Sequence, residues 1–147
     1  MVNSIEFKKS FEKKFNYRAT CIYNPFNKFF IQSKLKDKIQ IKFFKKNYLN
    51  IVNVGRLTDQ KDHLTLLKSI KLLNPDFKIR VIIIGKGKTK KKLENFIFEN
   101  NLFDRVKLLG YTDNPFSYIY KANIVILTSK FEGLPNILLE AQYLKKY

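Results

Sequence analysis

"KIRVIIIG" fills residues 78–85. From Ile79 onward the run is almost wholly β-branched, and it closes on a glycine. A strand with one wet face alternates apolar and polar residues, and this one does not. A continuous run of this kind belongs to a strand buried on both faces, so the sheet that holds it needs cover above and below.

The flanking sequence supplies that cover. Upstream, "DHLTLLKSIKLL" (62–73) repeats apolar residues at helical spacing through Leu64, Leu67 and Ile70, widened by Leu66 and Leu73. Asp62 suits its start and Asn74-Pro75 its stop. Before it, "NIVNVG" (50–55) is a second short buried run ending in glycine. Downstream, "KKKLENFIFENN" (90–101) is helical through Leu93, Phe96 and Ile97, and "RVKLLG" (105–110) is a third strand. "NPFSYIYKA" (114–122) opens with proline at a first helical turn. "NIVILTS" (123–129) is a fourth strand, and "PNILLEAQYLKKY" (135–147) a helix reaching the last residue with proline near its start. Strand and helix alternate four times. Right-handed crossovers then give an α/β, Rossmann-like open parallel sheet with helices on both faces. Residues 1–48 show no clear period. "TCIYNPFNKFFI" has room for one short strand near Ile22, and "SKLKDKIQIKFFKK" reads equally as a charged helix or an edge strand.

The chain has 147 residues and a net charge of +17, from 29 basic and 12 acidic side chains. That charge suits an anionic partner: nucleic acid, an acidic membrane surface or a phosphorylated small molecule. Lys, Asn, Ile and Phe are abundant together, so general compositional bias accounts for most of the lysines. The lysines are spread along the whole chain and no RNA or DNA motif accompanies them, so no specific nucleic-acid partner is expected. One cysteine, Cys21, excludes an intrachain disulfide and a cysteine metal cluster. One histidine, His63, makes no histidine metal site. No run nears the ~20 apolar residues of a membrane helix, and the first residues lack the apolar core of a signal peptide. The expected location is cytoplasmic, with the charge suiting peripheral contact with the inner face of a membrane.

Several motifs fail on inspection. "GKGKTKK" ends like a phosphate loop, but the required first glycine falls at Ile82. Gly85 and Gly87 begin a dinucleotide fingerprint that Lys90 breaks. Their presence fits either a close approach to a ligand or a tight turn. His63 has no carboxylate at obvious spacing and reads as a surface or helix-packing residue. Cys21 has no visible partner.

In an open α/β sheet, ligands bind beyond the carboxyl ends of the strands. That edge comprises Gly55-Arg56, Gly85-Lys86-Gly87, Gly110-Tyr111 and Ser129 to Pro135. Arg56 follows a strand-terminal glycine and Lys61 comes five residues later, so both project from this edge. A guanidinium and an ammonium there suit a diphosphate and would stabilise it as a leaving group. In "FEGLPNILLE" (131–140), Gly133 allows close backbone approach and the helix start offers free amides to an anion. By spacing alone Glu132 and Glu140 fit an acid–base pair, a metal pair or two surface glutamates.

The ordered set "NPF", "VGRLTDQKDH", "IIIGKGK", "VKLLGY" and "ANIVILTSKFEGLPNILLEA" resembles the nucleotide-binding half of GT-B glycosyltransferases. It is similar to the large retaining family 4, the glycosyl transferases group 1, over about residues 20–147. The resemblance implies one half of a GT-B fold acting on a nucleoside diphosphate sugar, with anomeric configuration retained and no metal or cofactor. It implies that Arg56 and Lys61 hold the donor diphosphate and that Glu140 hydrogen-bonds the ribose hydroxyls. Glu132 would stand at the donor sugar and reacting centre. Gly133, Leu134, Pro135 and Asn136 would form the turn whose free backbone amides face sugar and phosphates. Gly55, Gly85, Gly87, Gly110 and Tyr111 would line the nucleotide pocket.

Set against that family, residues 1–30 are expected to be the remnant of a preceding domain with its linker, and 31–147 an incomplete C-terminal donor domain. The acceptor, a glycan or lipid-linked sugar in polysaccharide or lipopolysaccharide synthesis, would then need a surface supplied elsewhere, such as a separately encoded N-terminal domain. A basic nucleic-acid-binding protein and a non-functional remnant stand as alternatives.

Overall fold

The computed structural model describes residues 1–37 and 39–147. Its centre is a parallel sheet of β1 (Leu49–Val54), β2 (Ile79–Ile84), β3 (Val106–Gly110) and β4 (Ile124–Val125). The strands lie in the order β3-β2-β1-β4. Every residue of β2 is buried, Arg80 included, in keeping with its near-continuous apolar run. Alternate residues face opposite sides of the sheet. Val81 and Ile83 join Leu66, Leu67, Ile70, Leu93 and Ile97 in one core. Ile82 and Ile84 join Phe116, Ile119, Ala122 and Ala141 in a second.

The first core lies under α3 (His63–Leu72) and α4 (Lys90–Glu99). The second lies under α2 (Lys28–Leu35), α5 (Phe116–Lys121) and α6 (Asn136–Tyr143). The chain winds outward from β1 to β3, then crosses back past β1 to β4. Reversing the direction of travel while keeping right-handed crossovers sends the later helices to the opposite face. The reversal also opens a crevice at the carboxyl ends of β1 and β4, where open α/β sheets take ligands.

Four sequence expectations are corrected. The strand expected over 123–129 pairs only at Ile124 and Val125. Beyond it, the Ile126 amide still donates to Val52 O, but the Asn53 side-chain amide takes the Ile126 carbonyl in place of backbone, and the ladder stops. The helix expected over 135–147 starts one residue after Pro135 and ends at Tyr143. Lys145 turns left-handed at φ 55°, the Lys146 amide closes on Ala141 O, and Tyr147 O accepts from the Val125 amide.

Near Ile22, the short strand reduces to a single parallel bridge between Val2 and Cys21. In the aperiodic first third, α1 (Ile5–Phe15) forms, capped by the Ser4 hydroxyl accepting from the Phe7 amide at 3.1 Å. None of its residues is buried, so no core-facing stripe marked it. Of "SKLKDKIQIKFFKK", the start completes α2 and the rest has no regular element, with Lys38 outside the described residues. Among the described residues, no helix is long and apolar enough to cross a membrane.

Candidate functional site

Three strand-to-helix loops converge at the carboxyl edge, and they continue the sheet's pairing past its strands. The Gly55 amide donates to Ile84 O at 2.9 Å, Leu57 to Lys86 O at 3.0 Å, and Gly85 to Gly110 O at 2.9 Å. This pairing decides the role of the two central glycines. A Cβ on Gly85 would sit 1.8 Å from Gly55 O, and one on Gly87 2.3 Å from Leu57 O. Backbone of the neighbouring loop occupies the space a side chain would need, so both glycines serve loop-on-loop packing.

The resulting wall borders a cavity of about 480 Å³ holding Gly55, Arg56, Gly85 and Tyr111, four of the residues assigned to the site from sequence. Lys86, Asp113, Phe30 and Phe116 are among its other lining residues. The Lys86 ammonium lies 5.0 Å from the centre of the exposed Tyr111 ring. Gly87 and Gly110 do not line this cavity; Gly110 ends β3 with φ 85°.

Arg56 is exposed, and among the described residues no carboxylate pairs with it. Lys61 runs its methylenes past Gly55 and its ammonium bonds Glu132 across the crevice. The two side chains are 17% and 23% exposed. Burial pushes the Glu132 carboxyl up. The Lys61 hydrogen bond, the nearby Ser129 hydroxyl and the charges of Lys61 and Arg56 outweigh it and hold the carboxyl below its ordinary range. The Ser129 hydroxyl is buried without a partner at hydrogen-bonding geometry, so Lys61 is the dominant partner. The structure therefore brings together Arg56, Lys61 and Glu132, on two loops separated by 71 positions at the Lys61–Glu132 contact.

Glu140 stands apart from that pair. It lines a second cavity of about 160 Å³ with Asn24, Phe30, Phe116 and Asn136. Burial raises its carboxyl above the usual range, and no cation offsets it among the described residues. The two cavities meet at Phe30 and Phe116, whose rings pack edge to face at 6.0 Å. Asn136 Oδ1 accepts from Asn24 Nδ2 at 2.9 Å, which ties the start of α6 to the segment before α2. Leu134 and Pro135 are half-buried, and Pro135 is extended at the N-cap of α6. Over Gly133 lies the Asn3 side chain, its oxygen 2.4 Å from where a Cβ would stand.

Sequence reasoning put Lys86 on the ligand edge without a role and missed Phe30, Phe116 and Asn3. Of these three only Phe116 had a signal, in the Asn-Pro-Phe that opens α5. His63, assigned to surface or helix packing, is 2% exposed and so belongs to the packing. Among the described residues, no group of three or more His, Cys, Asp or Glu side chains is placed to hold a metal ion.

Comparison with known proteins places this arrangement. The family model for glycosyl transferases group 1 matches residues 35–147. An uncharacterized glycosyltransferase of Methanocaldococcus jannaschii is 38% identical over 104 residues, covering 65% of this chain and 26% of that protein. The N-acetylgalactosamine-N,N'-diacetylbacillosaminyl-diphospho-undecaprenol 4-alpha-N-acetylgalactosaminyltransferase of Campylobacter jejuni is 38% identical over 91 residues, covering 62% of this chain and 24% of that enzyme. Among solved structures, Anabaena Alr3699/HepE in complex with UDP-glucose superposes with a TM-score of 0.80 at 22% identity, over 99% of this chain and 42% of that one. The chain thus spans about a quarter of the length of these curated relatives. With a family model matching over three-quarters of its residues, this chain belongs to the glycosyl transferases group 1 family.

Proposed function

We propose that the chain is the nucleotide-sugar-binding part of a glycosyltransferase that passes the sugar, with retention, to a glycan or lipid-linked acceptor. The observation that carries this reading is the meeting of Arg56, Lys61 and Glu132 at the crevice where the strand order reverses, beside a cavity walled by Tyr111 and Phe30.

On this reading the base lies in the larger cavity against aromatic surface. The ribose hydroxyls donate to the Glu140 carboxylate at the junction of the two cavities. The diphosphate lies between Arg56, Lys61 and the amides at the start of α6. When the bond between the anomeric carbon and the diphosphate oxygen breaks, negative charge gathers on the departing nucleoside diphosphate. Arg56 and Lys61 already face that position, so they stabilise the charge without reorganising. This assigns to side chains the work a metal does elsewhere, and no metal or cofactor is proposed. Glu132, kept ionised by Lys61, faces the donor sugar.

The relatives' remaining length is the proposed source of the acceptor surface, either in the same polypeptide or as a separately encoded partner. The charge of the chain suits work at the cytoplasmic face of an acidic membrane. Titration calorimetry with UDP and GDP tests the reading. Binding of either nucleotide, weakened about 10- to 100-fold by Arg56→Ala as expected for one charge-assisted contact, supports it. Binding indifferent to Arg56 and Glu140, or no binding of either nucleotide, refutes it.

A further inference from the structure

Behind the loop that carries Arg56 and Lys61 lies another cavity, of about 140 Å³, which shares no lining residue with the two described above. It sits where α3 and α4 begin, and each of these helices has 10 residues. Three of its walls carry buried polar atoms that bond nothing in the protein: the Thr58 hydroxyl, the Thr89 hydroxyl and both ring nitrogens of His63. Thr89 occupies the N-cap of α4 yet caps no amide. Buried polar groups are costly to leave unpaired, and four such atoms around one small space point to an occupant.

The charges lining the space indicate its sign. Asp59 is engaged by Lys88 at 2.9 Å, and Asp62 spends its carboxylate on Thr65, with the hydroxyl at 2.9 Å. Lys92 and Lys130 also line the cavity, and among the described residues neither has an ion pair. Two helix starts add their partial positive charge.

We propose that this cavity binds a small tetrahedral oxyanion, inorganic phosphate or the phosphoryl group of a larger molecule, between Thr58, His63, Thr89, Lys92 and Lys130. Thr58, Thr89 and His63 donate to its oxygens, and the two lysines balance its charge. An anion held there braces the Thr58–Asp62 loop, and so the position of Lys61. That coupling to the donor rests on the function proposed above; the anion site does not.

His63 is the chain's one histidine, so its ring signals in NMR are unambiguous. The test titrates inorganic phosphate into Arg56→Ala protein, which removes the competing anion contact at the donor crevice. Sodium chloride at matched ionic strength is the control. The expected result is a saturable shift of the His63 ring nitrogens with phosphate alone, and at least tenfold weaker binding in Thr89→Val/Lys130→Ala protein. A phosphorylated sugar or glycerol phosphate in a second titration separates the two sources: saturation only with inorganic phosphate assigns the free ion. His63 signals that ignore phosphate, or respond equally to chloride, overturn the site and leave the cavity to water. If phosphate saturates His63 while nucleotide affinity in wild-type protein is the same with and without it, the anion site stands and the coupling falls. Failure of UDP to bind would touch the donor reading alone.

Discussion

Replacing Gly85 by alanine tests the loop packing that shapes the crevice. The new methyl would lie 1.8 Å from Gly55 O and 2.9 Å from Gly55 C, both backbone atoms with no rotamer to escape through. Relief requires the loop after β1 to move well over an ångström from the end of β2. That motion strains or breaks the Gly55–Ile84 and Leu57–Lys86 hydrogen bonds. Overpacking costs about 1–3 kcal/mol, and each lost bond adds about 0.5–1.5 kcal/mol. The expected destabilisation is therefore about 4 kcal/mol, a large share of the ~5–15 kcal/mol that holds a domain folded. Gly55→Ala is the matched control. Its nearest neighbour is the flexible Lys61 side chain at 3.6 Å, so the change should stay within about 0.5 kcal/mol. Urea unfolding followed by circular dichroism reads both. With a slope of about 2 kcal/mol per molar, Gly85→Ala should lower the midpoint by about 2 M. A Gly85→Ala midpoint within about 0.5 M of wild type, or a Gly55→Ala protein that is the less stable of the two, would refute the packing argument.

Other expectations concern charge. Breaking the Lys61–Glu132 pair should show a coupling of about 1 kcal/mol in a double-mutant cycle of Lys61→Met and Glu132→Gln, read by urea unfolding and discounted for the partial exposure of both groups. Additive single effects would mean that the pair contributes nothing. Burial raises Glu140, so in the fold it takes up its proton before an unfolded glutamate does. Its share of stability is present below pH ~4.5 and is lost as pH rises through the raised value. Nucleotide affinity should run the other way, falling as acidification protonates the ribose acceptor. Glu140→Gln should flatten that component in calorimetry followed from pH 7 down to about 4.5, and an unchanged slope would remove Glu140 from the ribose. For His63 the order is reversed. Burial and the Lys61 charge hold it below 6.5, so the unfolded chain binds the proton first. Stability should drop as pH falls from about 7.5 through 6.5 toward the lowered value. His63→Asn should lose that dependence; a wild-type urea midpoint insensitive to this range would contradict the burial.

The fold was legible where burial is two-sided and local. β2 and the stripes of α3 and α4 are written in consecutive residues, and their cores are the ones found. Periodicity could not reveal α1, whose side chains meet no core. Nor could it foresee that the Asn53 side chain would end β4 early. At the site, Arg56 and Lys61 could be placed by their distance from a strand end, while the contact of Lys61 with Glu132 is made only by the fold. The Phe30–Phe116 ring pair, the Asn24–Asn136 bond and the Asn3 cover over Gly133 join residues that only the folded chain brings near. No local pattern encodes such contacts. Gly85 and Gly87 show the reverse case: their presence was plain, but whether ligand or backbone filled the space beside them was decided by the neighbouring loop.

The ion pair across the crevice has a kinetic consequence under the proposed function. Lys61 already holds Glu132 before any donor arrives. An incoming diphosphate thus displaces a carboxylate as well as water, and part of its Coulombic gain is cancelled. A departing nucleoside diphosphate is in turn replaced at the ammonium by a tethered anion that never diffuses away. Such an exchange lowers the affinity for donor and product alike while easing the escape of product. A site arranged in this way favours rapid cycling over tight retention.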